Sequence, residues 1–150
     1  MNFVKTKSIV FLSIVIFIFS LTQEAYYIDG TDYDAWAAAW GLLLIGWVGV
    51  FDGGAGISWL ANPLLILSWG LYFFDKGKLA SITSILAVVA ATSFLSFDTV
   101  ISSAAPTYSK ITEIKLGYWL WLASTVIMAI FSTYQALTNQ GRRTAPPPAA

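Results

Sequence analysis

The chain has 150 residues, of which 57% are hydrophobic and only 11% are charged, with eight basic residues balancing eight acidic ones. A soluble domain is usually about one quarter charged, so most of this chain is expected to lie away from water. The sequence contains neither Cys nor His, which excludes disulfides and thiol chemistry and removes the usual zinc, haem and iron–sulfur ligands. The balanced charge argues against nucleic acid as a partner.

The charged residues are confined to short connections between long uncharged runs. A membrane-spanning helix needs about 20 apolar residues, within a range of roughly 17–25. Five apolar segments lie near or inside that range: 8–23, 35–51, 57–74, 79–97 and 117–137. We therefore predict an all-α, polytopic membrane protein, a small bundle of four to five transmembrane helices with short loops. Residues 1–141 form its single domain, and the Pro-rich tail 142–150 is predicted to be disordered.

The first segment follows Lys5 and Lys7 and reads SIVFLSIVIFIFSL. Signal peptides and membrane anchors both begin with positive charge before an apolar run. The next residues, TQEA, lack a clean small-x-small cleavage pattern. We predict an uncleaved anchor, with a cleaved signal as the alternative.

An acidic connection, EAYYIDGTDYDAW, comes next. Its residues Asp29, Asp32 and Asp34 suggest a calcium site, but their spacing is not that of an EF-hand and no glutamate closes the loop. We predict a solvated acidic loop and no metal site.

Small residues recur on one helical face of the second and fourth segments. Gly46 and Gly49 belong to the first of these faces, and Ala87 and Ala91 belong to the second. Such residues let another helix approach closely, which is how membrane helices associate without a hydrophobic driving force. We predict that these four residues contact another helix of the chain or of a partner.

Asn62 and Pro63 interrupt the third apolar segment. Asn62 could be the N-cap and Pro63 the first residue of a short helix. Alternatively, the helix continues with a kink at Pro63, and Asn62 and the freed carbonyl of Trp59 face another helix or water. A pore element is the third interpretation, because Asn-Pro recurs at re-entrant half-helices of channels, although this chain has no second copy.

Residues 98–115 form the longest polar stretch, and Pro106 within it prevents one regular helix. The last segment carries aromatic residues at both ends, which is typical of a span.

Two topologies remain open, since positive residues mark the cytoplasmic side of a membrane protein. Five crossings give four Lys or Arg on each side, which decides nothing. If one of the first three segments fails to cross, the N-terminus, the 75–78 turn and the tail share one side. The count then becomes six against two. The second and third segments would form a hairpin that enters the membrane and returns through the glycine-rich turn 52–56.

No ionisable residue lies away from the segment ends, which argues against a proton relay. Carboxylates that could act as acids or bases lie at those ends: Asp52, Asp75, Asp98 and Glu113. We found no catalytic or cofactor-binding motif. A membrane enzyme that uses these carboxylates is therefore the interpretation with least support.

The sequence favours a non-catalytic membrane protein that acts through helix–helix association, such as an accessory subunit or an assembly or immunity-type factor. The expected partners are the lipid bilayer and other membrane helices, in a homo- or hetero-oligomer. The expected location is a bacterial cytoplasmic (inner) membrane. The alternative is an oligomeric channel or small-solute transporter, with Asn62 and Pro63 at a re-entrant or kinked element.

Overall fold

The apolar segments form helices because a helix satisfies every backbone polar group internally where water is absent. The computed structural model describes residues 3–29, 39–101 and 107–144. Four helices form its main bundle: α1 (Phe3–Ser20), α4 (Ala61–Phe73), α5 (Gly77–Ser93) and α6 (Leu116–Thr144). Between α1 and α4 lie two short helices, α2 (Ala39–Ile45) and α3 (Gly49–Asp52), joined by the 3-10 turn Gly46–Val48.

Three helical spans are long and apolar enough to cross a membrane: Gly54–Phe73, Gly77–Ser96 and Leu116–Thr138. The first starts as the 3-10 helix Gly54–Leu60 and continues as α4, and the second ends in the 3-10 helix Phe94–Ser96. The membrane character predicted from composition is thus supported for these three spans. Among the residues whose side chains the structure describes, two further apolar helical stretches are shorter, Lys7–Ser20 of α1 and Ala39–Asp52.

The four main helices pack around one hydrophobic core. Its buried members come from all four helices: Val10, Phe17, Leu65, Ala87, Met128 and Phe131. Helix α4 runs parallel to α6, since Asn62 contacts Trp121 near one end and Tyr72 packs on Phe131 near the other. Helices α1 and α5 run antiparallel to α6.

Hydroxyl groups also join the helices inside the bundle. Ser13 Oγ donates to the carbonyl of Ser124 at 3.0 Å, and Ser124 Oγ donates to the carbonyl of Ser13 at 3.1 Å. The hydroxyls of Ser84 and Ser132 lie 2.8 Å apart between α5 and α6. Small hydroxyl residues thus allow close packing and supply interhelical hydrogen bonds, as in other membrane bundles.

A three-stranded antiparallel sheet corrects the all-α prediction. Its strands are β1 (Tyr26–Ile28), β2 (Thr99–Ile101) and β3 (Tyr108–Ile114), in the order β1-β3-β2. Aromatic and β-branched residues dominate all three strands, and such residues favour extended backbone. One face packs on the ends of α5 and α6, where Val100 is buried with Phe94 and Tyr118.

The sheet divides the molecule into two ends. We call the end that carries it the sheet end. The opposite end, with the α4–α5 turn Phe74–Lys76 and the C-terminal part of α6, is the turn end. Helix α6 continues to Thr144, so residues 142–144 of the predicted disordered tail are helical. The other tail residues, 145–150, lie outside the described part of the chain.

The second segment does not cross the bundle. The amide of Ala39 donates to the carbonyl of Gln23 at 3.2 Å, and Gly49 lies against Gly56, next to the buried Ala55 of the sheet end. Both ends of Ala39–Asp52 therefore lie at the sheet end. We call residues 39–60 the hairpin. It comprises most of the second apolar segment and the start of the third, whereas the rest of the third segment belongs to α4.

Candidate functional site

Asn62 lies at the centre of a hydrogen-bonded group between the hairpin and α6. Its side chain is 6% exposed. Asn62 Nδ2 donates to the carbonyl of Trp59 at 3.1 Å, and Asn62 Oδ1 accepts from Trp121 Nε1 at 2.9 Å. Both ends of the amide are therefore occupied within the protein.

The N-cap interpretation of Asn62 is wrong. The N-cap of α4 is Leu60, which makes no side-chain cap bond, and Pro63 is the third residue of the helix. Because proline has no N–H, it cannot bond the carbonyl of Trp59 four residues earlier. Asn62 Nδ2 bonds that carbonyl instead. Asn62 faces α6, as the continuous-helix interpretation expected, but the Trp59 carbonyl is bonded by Asn62 itself, and the kink at Pro63 stays a prediction.

Gly46 and Gly49 contact the returning arm of the hairpin. A Cβ at Gly46 would come within 2.7 Å of Trp59 Cδ1, and a Cβ at Gly49 would lie 3.4 Å from the Cα of Gly56. Trp59 Nε1 donates to the carbonyls of Leu42 and Leu43 at 3.1 and 3.0 Å. The small face of the second segment thus packs within its own chain.

Ala87 and Ala91 face the interior of the bundle, and both side chains are fully buried. The carbonyl of Ala91 accepts a hydrogen bond from Tyr118 Oη at 3.1 Å. In this single chain, the small face of α5 therefore supports packing against other helices of the same bundle.

A cavity of about 650 Å³ lies at the sheet end, between the hairpin, the sheet and the first turns of α6. Its volume is within the range of about 300–1,000 Å³ that is usual for ligand sites. Apolar and aromatic residues from these elements supply most of the wall, among them Leu42, Ile45, Ile28, Phe94, Trp59 and Trp121. Asn62 lies in the same wall, so the group around it forms part of this site.

The buried polar side chains of the cavity wall are already bonded inside the protein. Ser20 Oγ donates to the carbonyl of Phe17 at 2.7 Å, and Ser58 Oγ donates to the carbonyl of Ala55 at 2.6 Å. The buried amide and phenol in the wall, those of Asn62 and Tyr118, are bonded as described above. Exposed polar wall residues are found instead at Asp52, Thr99 and Tyr108, which we take as the mouth of the cavity.

The four carboxylates considered as acids or bases do not form one cluster. Asp52, Asp98 and Glu113 belong to the sheet end, and Glu113 forms an ion pair with Lys115 at 2.6 Å. Asp75 is at the turn end, with a φ of 59°. Within the described residues, no group of three metal-ligating side chains could hold an ion. Asp32 and Asp34 of the acidic connection lie outside that part of the chain.

Charge is divided unevenly between the two ends. Five described acidic residues lie at the sheet end with two bases: Glu24, Asp29, Asp52, Asp98 and Glu113 with Lys110 and Lys115. Six bases lie toward the turn end with one acid: Lys5, Lys7, Lys76, Lys78, Arg142 and Arg143 with Asp75. The bundle therefore has an acidic sheet end and a basic turn end.

Several residues that position this site are absent from the sequence-based prediction. A Cβ at Gly56 would lie 2.0 Å from the carbonyl oxygen of Gly49, and a Cβ at Gly117 would lie 2.5 Å from that of Glu24. Trp121 is one of the aromatic residues at the start of the last apolar segment, and that position indicates a membrane-interface residue and not a bond to Asn62. Their partners are distant in the sequence, so the sheet had only a weak local signal, the β-branched and aromatic residues of 99–101 and 108–114.

The chain was also compared with known proteins. Comparisons with protein-family models, with curated proteins and with solved structures found no match.

Proposed function

We propose that the chain is a non-catalytic, multi-pass protein of a bacterial cytoplasmic membrane that acts by association with another membrane protein. Helices α1, α4, α5 and α6 cross the bilayer, and the sheet end faces outward. The uneven charge supports this orientation, because six Lys or Arg at the turn end and two at the sheet end follow the positive-inside rule. The short connections and small size of the chain support a bacterial source.

The observation that carries the association proposal is the layer formed by the hairpin and the sheet. Four crossing helices could be joined by short turns, as α4 and α5 are by Phe74–Lys76. Instead, the hairpin and the three strands build a packed layer at one end, with its own buried cluster around Phe94 and Tyr118. An acidic surface of this kind can recognise a basic region of a partner and suppress wrong partners.

The test is co-purification of the full chain from native membranes in a mild detergent, with quantitative identification of retained proteins. Asp29→Asn combined with Asp98→Asn removes two exposed charges from the layer. We expect the double variant to lose a partner that the parent chain retains in a fixed ratio. Asp75→Asn at the turn end is the matched control and should retain it. Equal retention by both variants would contradict recognition through the acidic layer.

A channel or small-solute transporter is the second candidate, and the re-entrant course of the hairpin favours it. Residues 39–52 begin and end at the sheet end, and a 3-10 helix, Gly54–Leu60, precedes Asn62. Such interrupted helices line solute pathways in transporters and channels. Flux of water and glycerol should then be measured in vesicles that contain only this protein. Transport requires a rate above that of empty vesicles and a change in Asn62→Leu; unchanged flux would remove Asn62 from this hypothesis.

A further inference from the structure

We infer that the cavity at the sheet end binds one long apolar chain of a membrane amphiphile whose head carries no net negative charge. This inference goes beyond the proposed association and does not depend on it. It rests on the wall of the cavity, on its mouth and on its position in the bundle.

The wall selects an apolar occupant. The hydroxyl hydrogens of Ser20 and Ser58 are bonded to carbonyls, and the amide oxygen of Asn62 accepts from the indole of Trp121. A polar molecule would exchange its full hydration for the few hydrogen-bonding positions that remain on these groups, which is unfavourable. Leu42, Ile45 and Phe94 give the wall the mainly hydrophobic lining that binds hydrocarbon.

The mouth selects an amphiphile and restricts its head. Asp52, Thr99 and Tyr108 are exposed wall residues, so polar groups meet the head where the apolar chain enters. The described acidic residues of the sheet end outnumber its bases by five to two. An anionic head would be repelled there, whereas the ammonium of a zwitterionic head can approach the Asp52 carboxylate.

The cavity lies at a depth where membrane amphiphiles can reach it. The hairpin carries exposed aromatic residues such as Trp40, Trp47 and Phe51, which are 56%, 50% and 82% exposed. Tryptophan rings, which carry a polar N–H, favour the boundary between headgroups and hydrocarbon. The cavity behind this hairpin therefore lies at the depth where a lipid chain meets its head.

The experiment uses the full chain in vesicles with a trace of phosphatidylethanolamine that carries a photoactivatable diazirine near the end of one acyl chain. Adducts are mapped by peptide fragmentation, and labelling is measured against probe concentration. We expect saturable labelling of cavity residues, approaching one lipid per chain. Adducts confined to lipid-facing residues such as Phe11 and Val89, or labelling that does not saturate, would overturn the inference. This result needs only the parent chain.

Variants add a matched comparison. Leu42→Trp and Ile28→Trp, on α2 and β1, fill the cavity from two different elements of its wall, and we expect either to lower the cavity adducts about tenfold. Leu86→Trp and Ile82→Trp make the same changes at exposed positions of α5. These two variants should leave the yield of cavity adducts unchanged. Equal loss in all four variants, or none in any, would contradict a site in the cavity. Equal labelling by a phosphatidylglycerol probe would contradict the preference for a head without negative charge.

Discussion

At the residue scale, Asn62 shows how one side chain connects local and distant requirements. Pro63 leaves the Trp59 carbonyl without its usual helical donor, and Asn62 Nδ2 bonds that carbonyl. Oδ1 of the same amide accepts a hydrogen bond from Trp121 Nε1, 59 residues away along the chain. A buried polar group is costly when it is unpaired, so both bonds are needed for Asn62 to lie inside the bundle.

The glycine pair of the hairpin leads to a stability prediction. Gly56→Ala would place a methyl group 2.0 Å from the carbonyl oxygen of Gly49. Backbone on both sides prevents simple side-chain relief, so we expect a loss of about 1–3 kcal/mol in unfolding free energy. Thermal unfolding in detergent micelles, followed by circular dichroism, would show a lower midpoint.

Gly70→Ala is the matched control for that experiment. Gly70 is inside α4, and nothing lies within 4 Å of an added Cβ there. Alanine is favoured over glycine in a helix interior by about 0.5–1 kcal/mol, so this variant should unfold at the parent temperature or above it. If Gly56→Ala matched this control, close contact between the hairpin arms would be ruled out.

At the scale of elements, the sheet links the chain between α1 and the hairpin to the connection between α5 and α6. Strand β3 pairs with β1 on one side and with β2 on the other. The amide of Ile111 donates to the carbonyl of Asp98 at 2.8 Å. The adjacent pair, Thr99 and Lys110, is therefore of the non-hydrogen-bonded kind, in which the Cα atoms lie about 4.5 Å apart.

This register can be tested because the chain contains no cysteine. Thr99→Cys with Lys110→Cys should form a disulfide on mild oxidation, since the expected Cα separation lies within the range that a disulfide can bridge. Thr99→Cys with Ser109→Cys is the control, because neighbouring residues of a strand point to opposite faces. Gel mobility with and without reductant measures the crosslink. Crosslinking of the control alone would mean that the true register differs from this one by one residue.

At the scale of the whole molecule, the acidic and basic ends explain why the total charge is uninformative. Eight bases and eight acids cancel in the sequence, but the bundle separates them between the sheet end and the turn end. A topology with five crossings treats the second segment as a span, so it places four Lys or Arg on each side of the membrane. The non-crossing hairpin places Lys76 and Lys78 at the same end as Lys5 and Lys7.

Topology is tested by single cysteines labelled in intact cells with a membrane-impermeant thiol reagent. Asp52→Cys in the hairpin and Thr112→Cys in β3 should be labelled, because both positions are exposed at the sheet end. Gly77→Cys at the turn end should be labelled only after permeabilisation. If Asp52→Cys were protected together with Gly77→Cys while Thr112→Cys reacted, the proposed placement of the hairpin would be wrong. The reverse pattern at all three positions would invert the proposed orientation.

The sequence by itself determined the apolar, membrane-compatible composition of the chain and the approximate extent of its long helices. Segments 57–74, 79–97 and 117–137 correspond to three helical spans, because sustained apolar composition is a local property. The hydroxyls of Thr83, Thr92 and Ser93 bond carbonyls of their own helix, as such residues commonly do in membrane helices. These features depend on residues within a few positions of one another.

Only the tertiary structure decided the sheet, the return of the hairpin and the cavity between them. Strand β1 contains three residues, too few for a strong periodic signal, and it is defined by pairing with residues more than 80 positions later. Gly56 belongs to the glycine-rich turn 52–56, and nothing in the neighbouring sequence indicates its close contact with Gly49. Sequence patterns describe which environment a residue prefers, whereas a cavity and its wall depend on which distant residues meet.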